Sequence, residues 1–247
     1  MIIIKRDAQL ELMRKAGQMV IRTLELLKKN LKPGITTLEL DTIAYDYIKS
    51  QGGYPSFLGY RGYPASINAS VNDEIVHGLP SLRQLKNGDI IGIDIGVFLN
   101  GVHGDAARTF GIGNISNEDK NLIDVAEKSF FEGIQYARHK NHLNQICEAI
   151  QNCIESSGYS VVREFIGHGI GKDLHEEPDI PNYSMNKRGP KLIKGMTFAI
   201  EPMVNAGTAD AIILKDGWTA TTKDGKNSAH YENTILITDG EAEILTV

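Results

Sequence analysis

Two aspartates flank a predicted tight turn and could together bind a cation. Asp94 lies in an apolar run, and Asp105 follows the dipeptide Asn100-Gly101. This dipeptide favours a two-residue type I′ hairpin loop, because both central positions of that turn need a positive φ. The resulting register places Asp94 opposite Ala107. Asp105 then lies diagonally across from Asp94 on the same face, with backbones about 7–8 Å apart, so both side chains can reach a common ion.

The surroundings of this pair make an unpaired state costly. Ile93 and Ile95 flank Asp94 in a run that we expect to be buried. A buried carboxylate without a partner is unfavourable, and two carboxylates close together repel each other. The run 92–107 contains no arginine that would neutralise them. A bound divalent cation would resolve both problems, and a pair of hydrogen-bonded structural aspartates is the alternative.

Further candidate ligands lie in the second half of the chain. His168 is surrounded by glycines, which allow a ligand or another backbone to approach closely. Glu201 and Glu232 each lie in an otherwise apolar run. Each alone is more typical of a structural residue, so their interpretation as ligands depends on convergence with the aspartate hairpin. Four carboxylates and one imidazole suit two adjacent divalent ions such as Mn, Fe(II), Co or Zn. Such ions, about 3.5–4 Å apart, polarise a carbonyl and activate water at neutral pH.

Apolar spacing predicts two helices before the aspartate hairpin and two after it. The predicted helices are 7–31, about 36–50, 117–139 and 143–157. Thr36 and Glu39 form a capping-box pattern at the start of the second helix. The predicted strands are 65–71, 89–98, 102–110, 159–167, 196–204, 210–215 and 230–238. We expect Glu176 and Glu177 at a solvated loop edge.

The order of elements repeats along the chain. Each half contains two helices followed by strands, and the spacing from Gly88 to Asp94 equals that from Gly195 to Glu201. The period is too long for a solenoid and indicates one duplicated unit, with one acid from each half at the place where the halves meet. Chance similarity is the alternative, because a glycine before an apolar strand is common. We predict a single catalytic domain, 1–247, with halves of roughly 1–112 and 113–247.

Composition limits the classes of partner and compartment. With 247 residues, 41% of them hydrophobic, the chain can bury one substantial core. A net charge of −5 favours neither nucleic acid nor an anionic membrane as the main partner. No apolar run is long enough for a transmembrane helix or a secretory signal. Cys147 and Cys153 are expected on different faces of one helix, as buried thiols of a cytoplasmic protein.

Seven motifs, in this order, resemble those of the type I methionine aminopeptidases of the bacterial kind, members of the pita-bread metallopeptidases. The resemblance covers essentially the whole chain, and its motifs are strong together although each alone is weak. The motifs are Val76–Pro80, Ile93–Gly96, His103–Thr109, Gly167–Gly171, His175–Pro178, Ile200–Met203 and Glu232–Thr234.

The resemblance implies an α+β fold with two pseudo-twofold-related halves and helices packed on a central curved, mainly antiparallel sheet. It implies a site that holds two divalent ions (Co, Mn, Fe(II) or Zn). The family's five metal ligands fall on Asp94, Asp105, His168, Glu201 and Glu232, the same set reached from the residues alone.

The implied activity is hydrolysis of the first peptide bond of peptides or nascent proteins that begin with methionine, when the second residue is small. His175 would stabilise the oxyanion, Glu201 would carry the proton to the leaving amine, and His77 would contact the substrate near the scissile nitrogen. An apolar pocket would hold the methionine side chain, formed by Phe57, Tyr60, Tyr63 and Trp218. We expect a monomeric, cytoplasmic enzyme of protein maturation.

The chain departs from the family pattern in its pocket. Phe57 and Asn68 stand where cysteines are often found, and Leu174 replaces a phenylalanine. These changes leave the predicted ligands intact and concern substrate preference. Two alternatives remain open. A proline-directed aminopeptidase or dipeptidase of this fold usually carries an extra N-terminal domain, and a non-catalytic binding protein of this fold typically loses metal ligands.

Overall fold

The computed structural model describes residues 1–247 and combines four α-helices with fifteen short strands. The helices are α1 (Asp7–Asn30), α2 (Thr37–Ser50), α3 (Asn117–Ile134) and α4 (Leu143–Ser156). The strands of the first half are β1 (Tyr54–Pro55), β2 (Asn68–Val71), β3 (Glu74–Val76), β4 (Ile90–Leu99) and β5 (Val102–Gly111). Those of the second half are β6 (Ser160–Val161), β7 (Gly167–Gly169), β8 (Glu176–Ile180), β9 (Thr197–Ile200), β10 (Met203–Asn205), β11 (Ala211–Ile213), β12 (Ala220–Thr222), β13 (Ser228–His230), β14 (Asn233–Leu236) and β15 (Glu243–Ile244).

The α+β class predicted from the sequence is confirmed, and every strand pairing is antiparallel. The strands form four hydrogen-bonded sheets, in the orders β1-β4-β2 with β5 on β4, β13-β10-β6, β11-β12-β3, and β15-β14-β9-β7-β8. No helix is long and apolar enough to cross a membrane.

The β4–β5 hairpin has the predicted turn and register. Asn100 and Gly101 both have positive φ, 52° and 87°, as a type I′ loop requires. Asp94 pairs with Ala107 and Asp105 pairs with Gly96. Because side chains alternate between faces along a strand, this register places the two aspartates on one face.

Local signals also set the helix starts. Thr36 and Glu39 form the predicted capping box at α2. The Thr36 hydroxyl accepts the Glu39 N–H at 3.1 Å, and the Glu39 carboxylate accepts the Thr36 N–H at 2.7 Å. The prediction of a helix over 117–139 is wrong at its end, since α3 stops at Ile134. Just beyond Ile134, the Tyr136 and Ala137 N–H groups donate to carbonyls three residues back, and the His139 N–H donates to the distant Thr238 carbonyl at 2.9 Å, so the α-helical hydrogen bonds do not continue to His139.

Two predicted strands are interrupted at the candidate ligands. The segment 196–204 divides into β9 and β10 around Glu201-Pro202, and 230–238 divides into β13 and β14 around Tyr231-Glu232. Proline has no N–H to donate to a ladder, which explains the first interruption. The predicted strand 159–167 is reduced to β6 at its start and the first residue of β7 at its end. Five strands of two to five residues were not predicted, because they have too few residues to show a clear period: β1, β3, β8, β12 and β15.

Separate apolar clusters lie under the two helix pairs. One cluster joins α1 and α2 to β2 and β4 and draws its residues from 19–112. Another joins α3 and α4 to β9 and β14 and draws on Ile90 and residues 122–237. The division into halves 1–112 and 113–247 stays a prediction. Cys147 is buried as expected, whereas Cys153 is only half-buried, because it lies near the edge of the apolar face of α4.

Candidate active site

One cavity contains all five predicted ligands, the other two predicted histidines and the predicted aromatic wall. Its lining also includes Arg61, for which no role was predicted, and Asn68, a departure from the family pattern. The lining residues are Phe57, Tyr60, Arg61, Tyr63, Asn68, His77, Asp94, Asp105, His168, His175, Glu201, Trp218 and Glu232. Leu174 is absent from this lining and is buried in an apolar cluster with Phe57 and Tyr63.

Hydrogen bonds between β5 and the segment leading into β14 bring distant acids together. The Glu232 N–H donates to the Ala107 carbonyl at 2.9 Å. The Thr234 hydroxyl accepts the Asp105 N–H at 3.0 Å and donates to the Asp105 carbonyl at 2.9 Å. These contacts hold Glu232 beside the aspartate hairpin despite the large sequence separation.

Three side chains form a compact set of metal donors. Ligand atoms of Asp105, His168 and Glu232 lie within 4.8 Å of one another, and all three residues are buried. His168 Nδ1 lies 2.9 Å from the Gly169 carbonyl. Since a carbonyl only accepts, Nδ1 carries the proton and Nε2 is free to bind a metal. These three residues can therefore hold one divalent ion.

Several acidic oxygens at the site are buried without a hydrogen-bond partner. They are Oδ1 of Asp94, Oδ1 of Asp105 and Oε1 of Glu232. Buried polar atoms without a partner are rare and costly, and a cation is one way to satisfy them. The donor set present therefore fits a divalent metal.

The pKa values of the four carboxyl groups at the site are raised. Burial raises the pKa of Asp94 from 3.8 to about 7, although the hydrogen bond from Asn68 partly opposes this shift. Burial and then the negative charges of neighbouring acids raise the pKa values of Asp105, Glu201 and Glu232 well above their ordinary range. The four acids cannot all ionise cheaply without a positive charge among them.

The histidines are held neutral. Burial lowers the pKa of His168 to about 4. Burial, followed by the proximity of His168 and Arg61, lowers that of His175 to about 3. Burial also lowers the pKa of His77. A neutral imidazole can bind a metal through one nitrogen or donate a single hydrogen bond to a substrate.

His175 is held by an aromatic neighbour. Its Nδ1 lies 2.8 Å from the Tyr60 hydroxyl, and the two rings stack with centroids 5.1 Å apart. The ring centroid of His168 lies 4.1 Å from that of His175. His175 is thus beside the donor set without belonging to it.

The expectation that Glu176 is solvated is wrong. Its carboxylate binds the Lys5 ammonium at 2.5 Å, and both side chains are almost fully buried, 4% and 2% exposed. Glu176 Oε1 also accepts the Lys172 N–H at 2.9 Å. The N-terminal segment crosses the loop that carries His175, a long-range contact with no local sequence signal. Glu177 is exposed as expected.

The remaining predicted residues also have defined neighbours. His77 has a positive φ of 59° and packs edge-on against Phe165, with ring centroids 5.3 Å apart. Tyr63 and Trp218 pack edge-to-face at 5.1 Å. His230, which the sequence analysis missed, is buried with Nε2 3.8 Å from Glu201 Oε2. Its position two residues before Glu232 was the available signal.

Known proteins resemble this chain over its full length. The model of metallopeptidase family M24 matches residues 11–239. A methionine aminopeptidase of Clostridium perfringens is 54% identical over 247 residues, covering 100% of this chain and 99% of the relative. That of Escherichia coli K12 is 42% identical over 248 residues, covering 100% of this chain and 94% of the relative.

Solved structures agree with this match. The crystal structure of methionine aminopeptidase from Rickettsia prowazekii has a TM-score of 0.98 at 41% identity and covers 100% of both chains. Prolidase from Pyrococcus furiosus has a TM-score of 0.81 at 22% identity, covering 99% of this chain and 65% of the prolidase, and so shares the fold alone. The pita-bread fold expected from the sequence motifs is therefore confirmed.

Proposed function

The chain belongs to the methionine aminopeptidases of metallopeptidase family M24, and from this premise we propose how its own residues perform the reaction. It is a hydrolase that removes the N-terminal methionine. The observation that supports a site for this activity is one cavity lined both by the Asp105, His168 and Glu232 donors and by aromatic side chains. We propose that its substrates are peptides and nascent proteins with a small second residue.

Two divalent ions would occupy the acidic end of the cavity. Their ligands would be Asp94, Asp105, His168, Glu201 and Glu232, and the hard donor set suits Mn, Fe(II), Co or Zn. When bound, such ions polarise the scissile carbonyl and lower the pKa of water. With these ions held, the charges of the four acids would be balanced, and the site would supply an anchor for a free amino terminus, which would limit cleavage to the first residue.

The aromatic wall would hold the methionine side chain. Four aromatic side chains line the same cavity as the acids: Phe57, Tyr60, Tyr63 and Trp218. Burying a methionine side chain contributes about 1.5–3 kcal/mol, and sulfur contacts with aromatic rings add to this. Tyr63 is fixed by its hydroxyl, which lies 3.1 Å from the carbonyls of Ile67 and Gly78.

Three residues would act on the reacting bond. The Nε2–H of His175 would donate to the developing oxyanion, since its Nδ1 is occupied by Tyr60. Glu201 would accept a proton from the attacking water and transfer it to the leaving amine. His77, which also lines the cavity, would contact the substrate near the scissile nitrogen. A monomeric state and a cytoplasmic location stay predictions.

Metal removal and addition test this function. Chelator-treated protein should release no methionine from a Met-Ala-Ser peptide, and Mn, Co or Fe(II) should restore release. Matched peptides beginning with proline or leucine serve as controls and should be cleaved far more slowly. Full activity in protein shown by metal analysis to be metal-free would refute the metal assignment. Preferential cleavage of a proline-directed peptide would favour the prolidase alternative.

A further inference from the structure

Asn68 lies directly opposite Asp94 in the β2–β4 pairing. Its side-chain amide donates from Nδ2 to Asp94 Oδ2 at 2.7 Å, and the residue is only 4% exposed. Directly opposed residues on one face of a sheet have adjacent side chains. The contact therefore follows from the strand register and does not depend on a mobile surface geometry.

This contact distinguishes the two oxygens of Asp94. Oδ2 accepts the amide hydrogen bond, whereas Oδ1 is buried and has no partner. We propose that Asn68 is a positioning residue that holds the Asp94 carboxylate with Oδ1 directed to the metal, and so sets the affinity for the ion on the Asp94 side. This inference rests on the proposed role of Asp94 as a ligand.

The position of Asp94 explains why such support matters there. The compact donor set consists of Asp105, His168 and Glu232 and does not include Asp94. An ion bound mainly by the compact set depends little on Asp94. A second ion, bound between Asp94 and the acids of the compact set, would depend on the orientation of the Asp94 carboxylate. Hydrogen-bond partners that orient a ligand typically change metal affinity about 10–100-fold when removed.

The residue type at position 68 is also informative. Asn68 is a departure from the family pattern, in which cysteine is often found at this position. A thiol is a weak donor, whereas an amide N–H is a good one that cannot ionise. The strand pairing itself is made by backbone groups, so the Asn68 side chain is not needed to hold β2 against β4.

Metal titration of the full chain tests this role. Asn68→Ala and Asn68→Cys would be stripped of metal and titrated with Mn²⁺ by calorimetry. Asn205→Ala is the matched control, because Asn205 is equally buried but its amide donates to the Thr208 carbonyl outside the cavity. We expect the dissociation constant of the weaker Mn²⁺ equivalent to rise about 10–100-fold in both Asn68 variants. The tighter equivalent and the control should be unchanged.

Each other outcome is decisive. An unchanged dissociation constant for the weaker Mn²⁺ equivalent in both Asn68 variants would overturn the proposal. Tighter binding would also overturn it, since the Asn68 hydrogen bond would then compete with the metal for the Asp94 carboxylate. A structural role alone would lower the melting temperature with and without Mn²⁺ equally and leave both dissociation constants intact, which would also overturn it. If Asn68→Ala does not fold, Asn68→Cys retains a side chain in the space and decides the question. Wild-type protein that binds Mn²⁺ but releases no methionine would refute the proposed function and leave this affinity comparison valid.

Discussion

Replacing Asp94 by asparagine should stabilise the metal-free protein at neutral and alkaline pH. The substitution nearly preserves the shape of the side chain and removes its charge. Burial raises the pKa of Asp94 from 3.8 to about 7 in the folded chain. The folded state therefore holds a proton that the unfolded state releases, and stability is lost as the pH rises from about 4 through about 7.

The magnitude follows from the size of this pKa change. A rise from 3.8 to about 7 corresponds to a cost of at most about 4 kcal/mol for ionising Asp94 in the folded state. For a chain of this length, about 1 kcal/mol shifts the melting temperature by roughly 2–4 °C. Asp94→Asn should thus melt roughly 10 °C higher than the wild type above pH 7, and the difference should disappear near pH 4. Buried histidines give stability the opposite pH dependence. The pKa of His168, for example, is lowered from 6.5 to about 4 in the folded state, so stability falls as the pH drops below about 6.5. That contribution is shared by both proteins and cancels.

Thermal melts of both proteins between pH 4 and 8.5, with chelator and with Mn²⁺, would measure this effect. Without metal, Asp94→Asn should be the more stable protein above pH 7. With Mn²⁺ the difference between the two proteins should largely disappear, because the variant lacks a ligand. Metal at about 1,000 times its dissociation constant stabilises the wild type by about 4 kcal/mol, which offsets the cost of ionising Asp94. Equal pH dependence of the two metal-free proteins, or a less stable variant at pH 8, would refute the reasoning.

Further substitutions separate the roles of neighbouring residues. His175→Ala should retain its metal and lower kcat by about 10²–10³-fold, whereas His168→Ala should lose metal. Metal analysis combined with steady-state kinetics measures both effects, and reversed results would exchange the two roles. Tyr60→Phe should lower kcat by about 3–10-fold with little change in KM, and the effect should vanish in a His175→Ala background. Steady-state kinetics of the single and double variants measure this. Additive losses of kcat would show that Tyr60 does not act through His175. Lys5→Met should destabilise the fold by about 3–5 kcal/mol, because it leaves the Glu176 carboxylate buried without its cationic partner. Denaturant unfolding measures the lost stability, and adding Glu176→Gln to the Lys5→Met variant should restore most of it.

Local turn chemistry made the aspartate hairpin predictable. Asn100-Gly101 specifies its own loop geometry, and the loop determines the register of every residue in β4 and β5. The face shared by Asp94 and Asp105 follows from that register without any tertiary information. The capping box at Thr36 was predictable for the same reason, since both of its hydrogen bonds lie within four residues.

Contacts between distant segments were not predictable from the residues alone. Nothing near Glu176 in the sequence indicates that Lys5 will cover it. The same holds for Tyr60, which was predicted as part of an apolar wall but whose hydroxyl lies within hydrogen-bond distance of His175 Nδ1. Asn68 faces Asp94 because of the β2–β4 register, and β2 has no turn dipeptide that would set this register locally.

Glu201 and Glu232 lie where the hydrogen-bond ladders between strands are interrupted. The backbone carbonyls at these interruptions therefore need other hydrogen-bond donors. A backbone carbonyl removed from a ladder and buried must find another donor. Asn182 Nδ2 donates to the Glu201 carbonyl at 3.0 Å, and the Arg108 guanidinium donates to the Glu232 carbonyl at 2.5 Å. Each interruption is thus compensated by one side chain from outside the donor set. Side-chain hydrogen bonds thus replace ladder hydrogen bonds at both places. This allows Glu201 and Glu232 to line the same cavity from irregular backbone segments.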